Sequence, residues 1–150
     1  LAAITDSEGT VLWSHGNRRM SRIGESVNFV PGGRWSEQNA GTNALGMALT
    51  AGRPATVFSS EHWCDAVTDW VCYAAPVMDP ATGVPLGVID LSSSWEKTSA
   101  LGLTTVRTLA RLAEAQLSLD AGEAASPWRL RLSGRGELTH HGDPVPLTTR

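Results

Sequence analysis

The residue types best suited to chemistry gather in one short stretch. His62 and Cys64 lie close together, Cys72 follows, and Asp65 and Asp69 stand between the two cysteines. Imidazole, thiolate and carboxylate are ligands for zinc or iron. A thiol beside an imidazole can also serve nucleophilic or redox chemistry. The spacing supports neither use. No Cys-x-x-Cys is present, the intervals are irregular, and nothing nearby supplies an oxyanion hole or an acid to orient the imidazole. Haem ligation through His62 has no better support. The plainer reading is a histidine hydrogen-bonded to a loop and two reduced thiols that behave as small apolar side chains. No catalytic residue, metal or cofactor is assigned.

A second group can bind without reacting. Trp35, Trp63 and Trp70 are close in sequence, and aromatic walls suit an apolar or weakly polar ligand held by a few polar groups. They equally suit a core that fastens loops to a sheet. Asp90 is an acid inside the apolar run Leu86-Gly87-Val88-Ile89-Asp90-Leu91, where a buried carboxylate needs a partner. Thr42 and Asn43 sit at a predicted helix start, with Thr42 as the N-cap. Arg18, Arg19 and Arg22 read as a solvated face. Arg129, Arg131 and Arg135 are too few to establish phosphate contact.

These side chains need a scaffold, and the sequence centres it on a hairpin from Val71 to Ser92. Two strand-like runs flank Asp79-Pro80-Ala81-Thr82-Gly83, a loop with turn residues where a turn requires them. By the two-residue period, Cys72, Ala74 and Pro76 share one face of the first run and Tyr73, Ala75 and Val77 the other. The small face leaves room against it. Upstream, Leu1–Asp6 and Val11–Ser14 read as paired strands, and 20–28 as a short helix or ordered loop. Pro31-Gly32-Gly33 is a breaker, and Thr42 to Leu49 is a helix closed by Gly52. Ala55–Ser59 reads as a strand and Glu61–Trp70 as one or two helical turns. Thr98–Leu119 carries the longest helical stripe, through Val106, Leu109, Ala113 and Leu117. Residues 120–126 are linker-like in composition. Trp128–Leu132, Glu137–His140 and Val145–Leu147 read as strands of a second, incomplete domain. Hairpins with helices between them imply an α+β fold.

Composition narrows the class. The 150 residues carry a net charge of −3, so no bulk basic field draws the chain to nucleic acid or anionic membrane. No apolar run approaches a membrane span, and Leu1 leads directly into a strand without a signal-peptide pattern. Two cysteines cannot make a disulfide framework, which points to a reducing, cytoplasmic setting. Without an initiator methionine, the chain reads as an excised piece.

Four stretches in order carry a resemblance. They are Gly33-Arg34-Trp35-Ser36-Glu37; Gly41-Thr42-Asn43-Ala44-Leu45-Gly46 with Gly52-Arg53-Pro54; Glu61-His62; and Trp70-Val71-Cys72 continuing through Ala74-Ala75-Pro76-Val77, Asp79-Pro80, Gly83 and Leu86 to Ser92. Over residues 1–119 the chain resembles a GAF domain, most closely those at the front of bacterial transcriptional activators of the acetoin and dihydroxyacetone type. The resemblance implies a central antiparallel sheet of about six strands with helices on both faces. It also implies a small-molecule pocket between the sheet and a roof built from residues 35–49 and 58–70. The ligand contacts would come from Trp35, Asn43, Phe58, His62 and Trp70 on the roof side and Cys72, Ala74 and Asp90 on the sheet. A first family helix would precede Leu1. Some GAF-fold enzymes reduce methionine sulfoxide with several cysteines, a pattern absent here, so a sensor and not an enzyme is implied. Homodimerisation would use the Thr98–Leu119 helix. Residues 127–150 faintly resemble the leading strands of a winged-helix output domain, so DNA would be met only beyond Arg150. The alternatives are a dimerisation or protein-docking module with a filled pocket, or a redox or metal sensor through His62, Cys64 and Cys72.

Overall fold

The structure, a computed structural model, describes residues 1–125, 128–131 and 137–145. They form two compact units, Leu1–Ala115 and Gln116–Arg150. The first unit is built on a five-stranded antiparallel sheet. Its strands are β1 (Ala2–Asp6), β2 (Val11–His15), β3 (Ala55–Phe58), β4 (Trp70–Met78) and β5 (Pro85–Ser94), in the order β2-β1-β5-β4-β3. The architecture is α+β and GAF-like.

The central hairpin is β4–β5, paired from Trp70↔Ser94 to Met78↔Pro85. Its loop closes because the Asp79 N–H donates to Val84 O and the Gly83 N–H to Asp79 O, both at 2.8 Å. Gly83 takes φ +69°, which favours glycine. The alternation read from the sequence holds. Trp70, Cys72, Ala74 and Val88 join one buried cluster, while Val71, Tyr73 and Ala75 join another on the opposite face.

Against the about six strands that the resemblance implies, five are regular among the described residues, and no regular strand flanks β2 on its outer edge. In its place, residues 32–35 lie along the β2 edge. Val11 N–H donates to Gly33 O, Gly32 N–H to Val11 O and Trp35 N–H to Gly9 O, with one isolated bridge between Thr10 and Arg34. Pro31 and two glycines keep this edge from extending into a regular strand.

Helices cover both faces. On the first lie α1 (Arg18–Ser26), the single turn α2 (Glu37–Ala40) and α3 (Ala44–Ala51). Asn17 caps α1 by accepting the Met20 N–H at 2.9 Å. The N-cap of α3 is Asn43, one residue after the predicted Thr42; its Oδ1 accepts the Gly46 N–H at 2.9 Å. Thr42 instead uses its carbonyl to accept the Trp63 N–H at 3.0 Å, which ties the roof together. Gly52 ends α3 in the left-handed conformation, φ 59°. On the second face, α4 (Ala100–Ala125) packs Val106 and Ala110 against β4. It runs on through Asp120–Ala125, so the linker-like stretch is helical there.

The second unit includes a three-stranded antiparallel sheet of β6 (Trp128–Arg131), β7 (Glu137–His140) and β8 (Asp143–Val145), in that order. The strand predicted at Val145–Leu147 is shifted: β8 starts at Asp143, and residues 146–147 lie outside the described residues. Among the described residues, no helix is long and apolar enough to cross a membrane.

Candidate functional site

Between the sheet and its roof lies an enclosed chamber. Its floor is Trp70 and Cys72 of β4 and Asp90 of β5, and its roof is Phe29, Trp35, Asn43, Ala44, Leu45, His62 and Val67. The free volume is about 10 Å³, room for roughly one water molecule. Aromatic rings fill the rest. Phe29 stands edge-on to Trp35, centroids 4.9 Å apart, and edge-on to Trp70 at 6.1 Å. Trp35 is fixed from outside, its Nε1–H donating to Asn28 O at 3.1 Å. The resemblance implies a pocket here without saying whether it is open; in this conformation the chamber is nearly filled.

The floor carries a buried polar chain. Ser92 Oγ donates to Asp90 Oδ1 at 2.6 Å and lies 3.1 Å from Cys72 Sγ. A serine hydroxyl has one proton, so the Cys72 S–H donates to Ser92 Oγ. Burial pushes the Asp90 carboxyl up to about 7, against the pull of the Ser92 hydrogen bond. Burial also raises the Cys72 thiol well above its ordinary value, and the neighbouring Asp90 adds to it. A protonated thiol of this kind is inert as a nucleophile.

His62 is the roof's polar counterpart. Its Nδ1 lies 2.9 Å from Ser59 O. A carbonyl can only accept, so Nδ1 carries the proton and Nε2 of the neutral ring is an acceptor. Burial lowers the His62 pKa and keeps the ring neutral, opposed by the Ser59 hydrogen bond. Nε2 is buried and has no hydrogen-bond partner among the described residues. The chamber thus combines an unused acceptor on His62 with a carboxyl on Asp90 that burial holds far above the usual carboxylate range, between aromatic walls. An ion would lose its hydration between those walls, at a cost. A small uncharged molecule that both donates and accepts would be satisfied.

Of the residues the resemblance marks as ligand contacts, the structure brings Trp35, Asn43, His62, Trp70, Cys72 and Asp90 to this chamber. Asn43 is there with its amide engaged, Nδ2 donating to Gly41 O at 2.8 Å and Oδ1 capping α3. Ala74 shares the face and is fully buried in the cluster that includes Leu45 and Ala48, without lining the free volume. Phe58 is a correction. It is on the opposite face, because alternation along β3 turns Val57 inward, and its ring meets Trp95 at 6.2 Å. Trp63 also lies outside the chamber, 77% exposed. It lies against Gly41, φ +65°, where an added Cβ would meet the indole at 2.3 Å.

Phe29, Leu45, Val67 and Ser92 were not singled out in the sequence. Ser92 was findable, since it follows Asp90 by two on one strand and so shares its face. Phe29 precedes the Pro-Gly-Gly breaker, and nothing local distinguishes it from a loop anchor. Among the described residues, no group of three or more His, Cys, Asp or Glu could hold a metal ion.

Comparison with known proteins places this geometry. Residues 2–118 match the family described as the N-terminal domain of MimR. The whole chain is 37% identical to a 47.3 kDa Rhodococcus erythropolis protein from the thcA 5′ region, covering 36% of that protein's length. It is 36% identical, over 82% of the chain, to the acetoin dehydrogenase operon transcriptional activator AcoR of Bacillus subtilis, covering 20% of AcoR. Over 59% of the chain it is 36% identical to the propane 2-monooxygenase operon activator MimR of Mycolicibacterium smegmatis, covering 15% of it. The chain therefore spans about a third or less of these relatives. Among solved structures, the E. coli DhaR(N)–DhaL complex superimposes with a TM-score of 0.78 at 25% identity, over 82% of this chain and 42% of the matched one.

Proposed function

The chain belongs to the MimR N-terminal domain family, regulatory domains of transcriptional activators, and we propose that its input is a small uncharged molecule carrying hydroxyl or carbonyl groups, held between sheet and roof. The observation that carries this reading is the buried, unpartnered Nε2 of His62, a residue that lines the same chamber as Cys72 and Asp90 of the Cys72–Ser92–Asp90 chain. Buried polar groups without partners cost stability, and their presence calls for an explanation. A ligand hydroxyl donating to Nε2 and accepting from the Asp90 carboxyl satisfies both ends. The chamber holds about one water when closed, so binding requires the roof aromatics to part. That requirement is what makes the domain a sensor: a ligand that binds the open arrangement alone shifts the population toward it. The setting is cytoplasmic. Homodimerisation uses α4, the helix predicted over Thr98–Leu119 and found over Ala100–Ala125, and DNA is contacted by another part of the regulator.

The relatives' names supply the first probes. Acetoin and propan-2-ol, the alcohol that oxygenation of propane at its second carbon yields, with acetate as a charged control, are to be titrated while thermal unfolding is followed. An uncharged probe near 100 times its Kd is expected to add about 2.7 kcal/mol of stability, and acetate none. No response across an extended panel of small alcohols and ketones would sink the proposal.

A second reading has its own support. The chamber is nearly filled, and the structural neighbour DhaR(N) was solved in complex with the protein DhaL. On that reading the input is a docked protein. It predicts no small-molecule response and a domain whose stability rises only with a partner protein.

A further inference from the structure

We infer that Tyr73 and Glu114 are the positioning residues through which the state of the chamber is passed to α4, an inference that rests on the chamber being the input site. The wall common to both is β4. On one side Trp70 and Cys72 line the free volume; on the other Val71, Tyr73 and Ala75 pack on Val106 and Ala110 of α4. Side chains of both faces hang from one backbone, so β4 cannot shift toward or away from the roof without carrying its α4 face along.

Apolar packing alone would let the helix slide. Two side-chain-to-backbone hydrogen bonds prevent that. At the entry to α4, Tyr73 Oη accepts the Ser99 N–H at 2.9 Å. The same ring lies against the helix at Gly102, where an added Cβ would meet it at 2.4 Å. Farther along α4, Glu114 Oε1 accepts the Met78 N–H at 2.9 Å, while its other oxygen accepts from Arg111 at 2.8 Å. The β3 strand stops opposite Ala74, so among the described residues this end of β4 has only β5 as a strand neighbour. From Ser99 to Glu114 is about 22 Å of helix axis, and from Tyr73 to Met78 about 17 Å of strand. Strand and helix therefore run in the same direction and are tied at two points, at the entry to α4 and near its middle.

Both ties join a group fixed on β4 to a group fixed on α4. A displacement of the floor strand strains them first, at the Ser99 and Met78 amides. Coupling of this kind is reciprocal, so fixing α4 biases the chamber equally.

The test is residue-resolved amide hydrogen exchange on the 150-residue chain. The chamber is perturbed from inside by Ser92→Ala, which cuts the polar chain, and independently by Trp70→Phe. Each is expected to speed exchange at Ser99 and Gly102 at least about fivefold, and less than about twofold when Tyr73→Phe is also present. Glu114→Ala is expected to abolish the response at Met78, and Glu114→Gln, which keeps the acceptor oxygen, to restore it. A response confined to roof amides, or one equally large in the Tyr73→Phe background, overturns the inference. Failure of the chamber reading appears separately, as roof amides that do not respond to acetoin. The ties are judged on the variants in either case.

Discussion

At the scale of single residues, Asp90 makes the sharpest prediction. Its carboxyl is held near 7 in the fold by burial, against an ordinary 3.8. Between those values the folded chain keeps a proton that the unfolded chain has released. Stability then falls as pH rises through the window. His62 acts in the opposite sense. Burial lowers its pKa below 6.5, so the unfolded chain protonates first and stability is lost as pH falls through that region. The groups facing Asp90 are Cys72 from β4, which stays protonated, the Ser92 hydroxyl, and the amino group of Leu1. Asp90→Asn removes the first slope and leaves the second. The variant is expected to gain on the wild type by on the order of 2 kcal/mol between pH 5 and pH 8, read as a widening gap in denaturation midpoints. A gap that stays constant across that range would show that Asp90 is ionised throughout.

At the scale of elements, the roof depends on how α3 begins. Asn43 is buried and uses both ends of its amide, one to cap α3 and one to hold Gly41 O. Asn43→Ala is expected to cost about 1–2 kcal/mol in chemical denaturation. Asn43→Asp keeps the capping oxygen and should cost less. Equal losses would place the importance of Asn43 in the Gly41 bond and not in the cap. The sequence reading carried far at this scale. The β4–β5 hairpin and its two faces were legible because alternation and turn chemistry act locally. The stop at Gly52 was legible for the same reason. The cap was placed one residue early because Thr42 and Asn43 are both competent caps, and the choice is made by where the Thr42 carbonyl is needed. Phe58 was misplaced because the resemblance marked its segment as roof, while strand period turned Val57 inward. The closure of the chamber was not legible at all. It depends on Phe29, Trp35 and Trp70 meeting from three distant segments, and no local pattern encodes such a meeting.

At the scale of the whole molecule, the uncovered surface is the informative part. The roof face of the sheet is closed over by α1, α3 and the loops, but α4 covers only part of the other face. Across strands, Trp13, Ile4 and Ile89 form a row on that side by register. Trp13 is 49% and Ile4 41% exposed. On α4, Leu101 is 71% and Leu112 62% exposed, and their spacing of eleven residues puts them on one side of the helix. Isolated exposed leucines need no explanation, but the sheet row beside α4 and the stripe on the side of α4 turned away from Val106 and Ala110 are two separate apolar surfaces of this kind. If two copies meet through this helix, Leu112→Glu places a charge in the contact without touching either buried cluster. The variant is expected to keep its unfolding midpoint at low protein concentration, where the monomer dominates, and to raise the dimer dissociation constant by at least about tenfold in sedimentation equilibrium. A wild-type chain that sediments as a monomer at the highest concentrations, or a variant that associates as tightly as the wild type, would remove the helix from the dimer contact and leave the stripe to another partner.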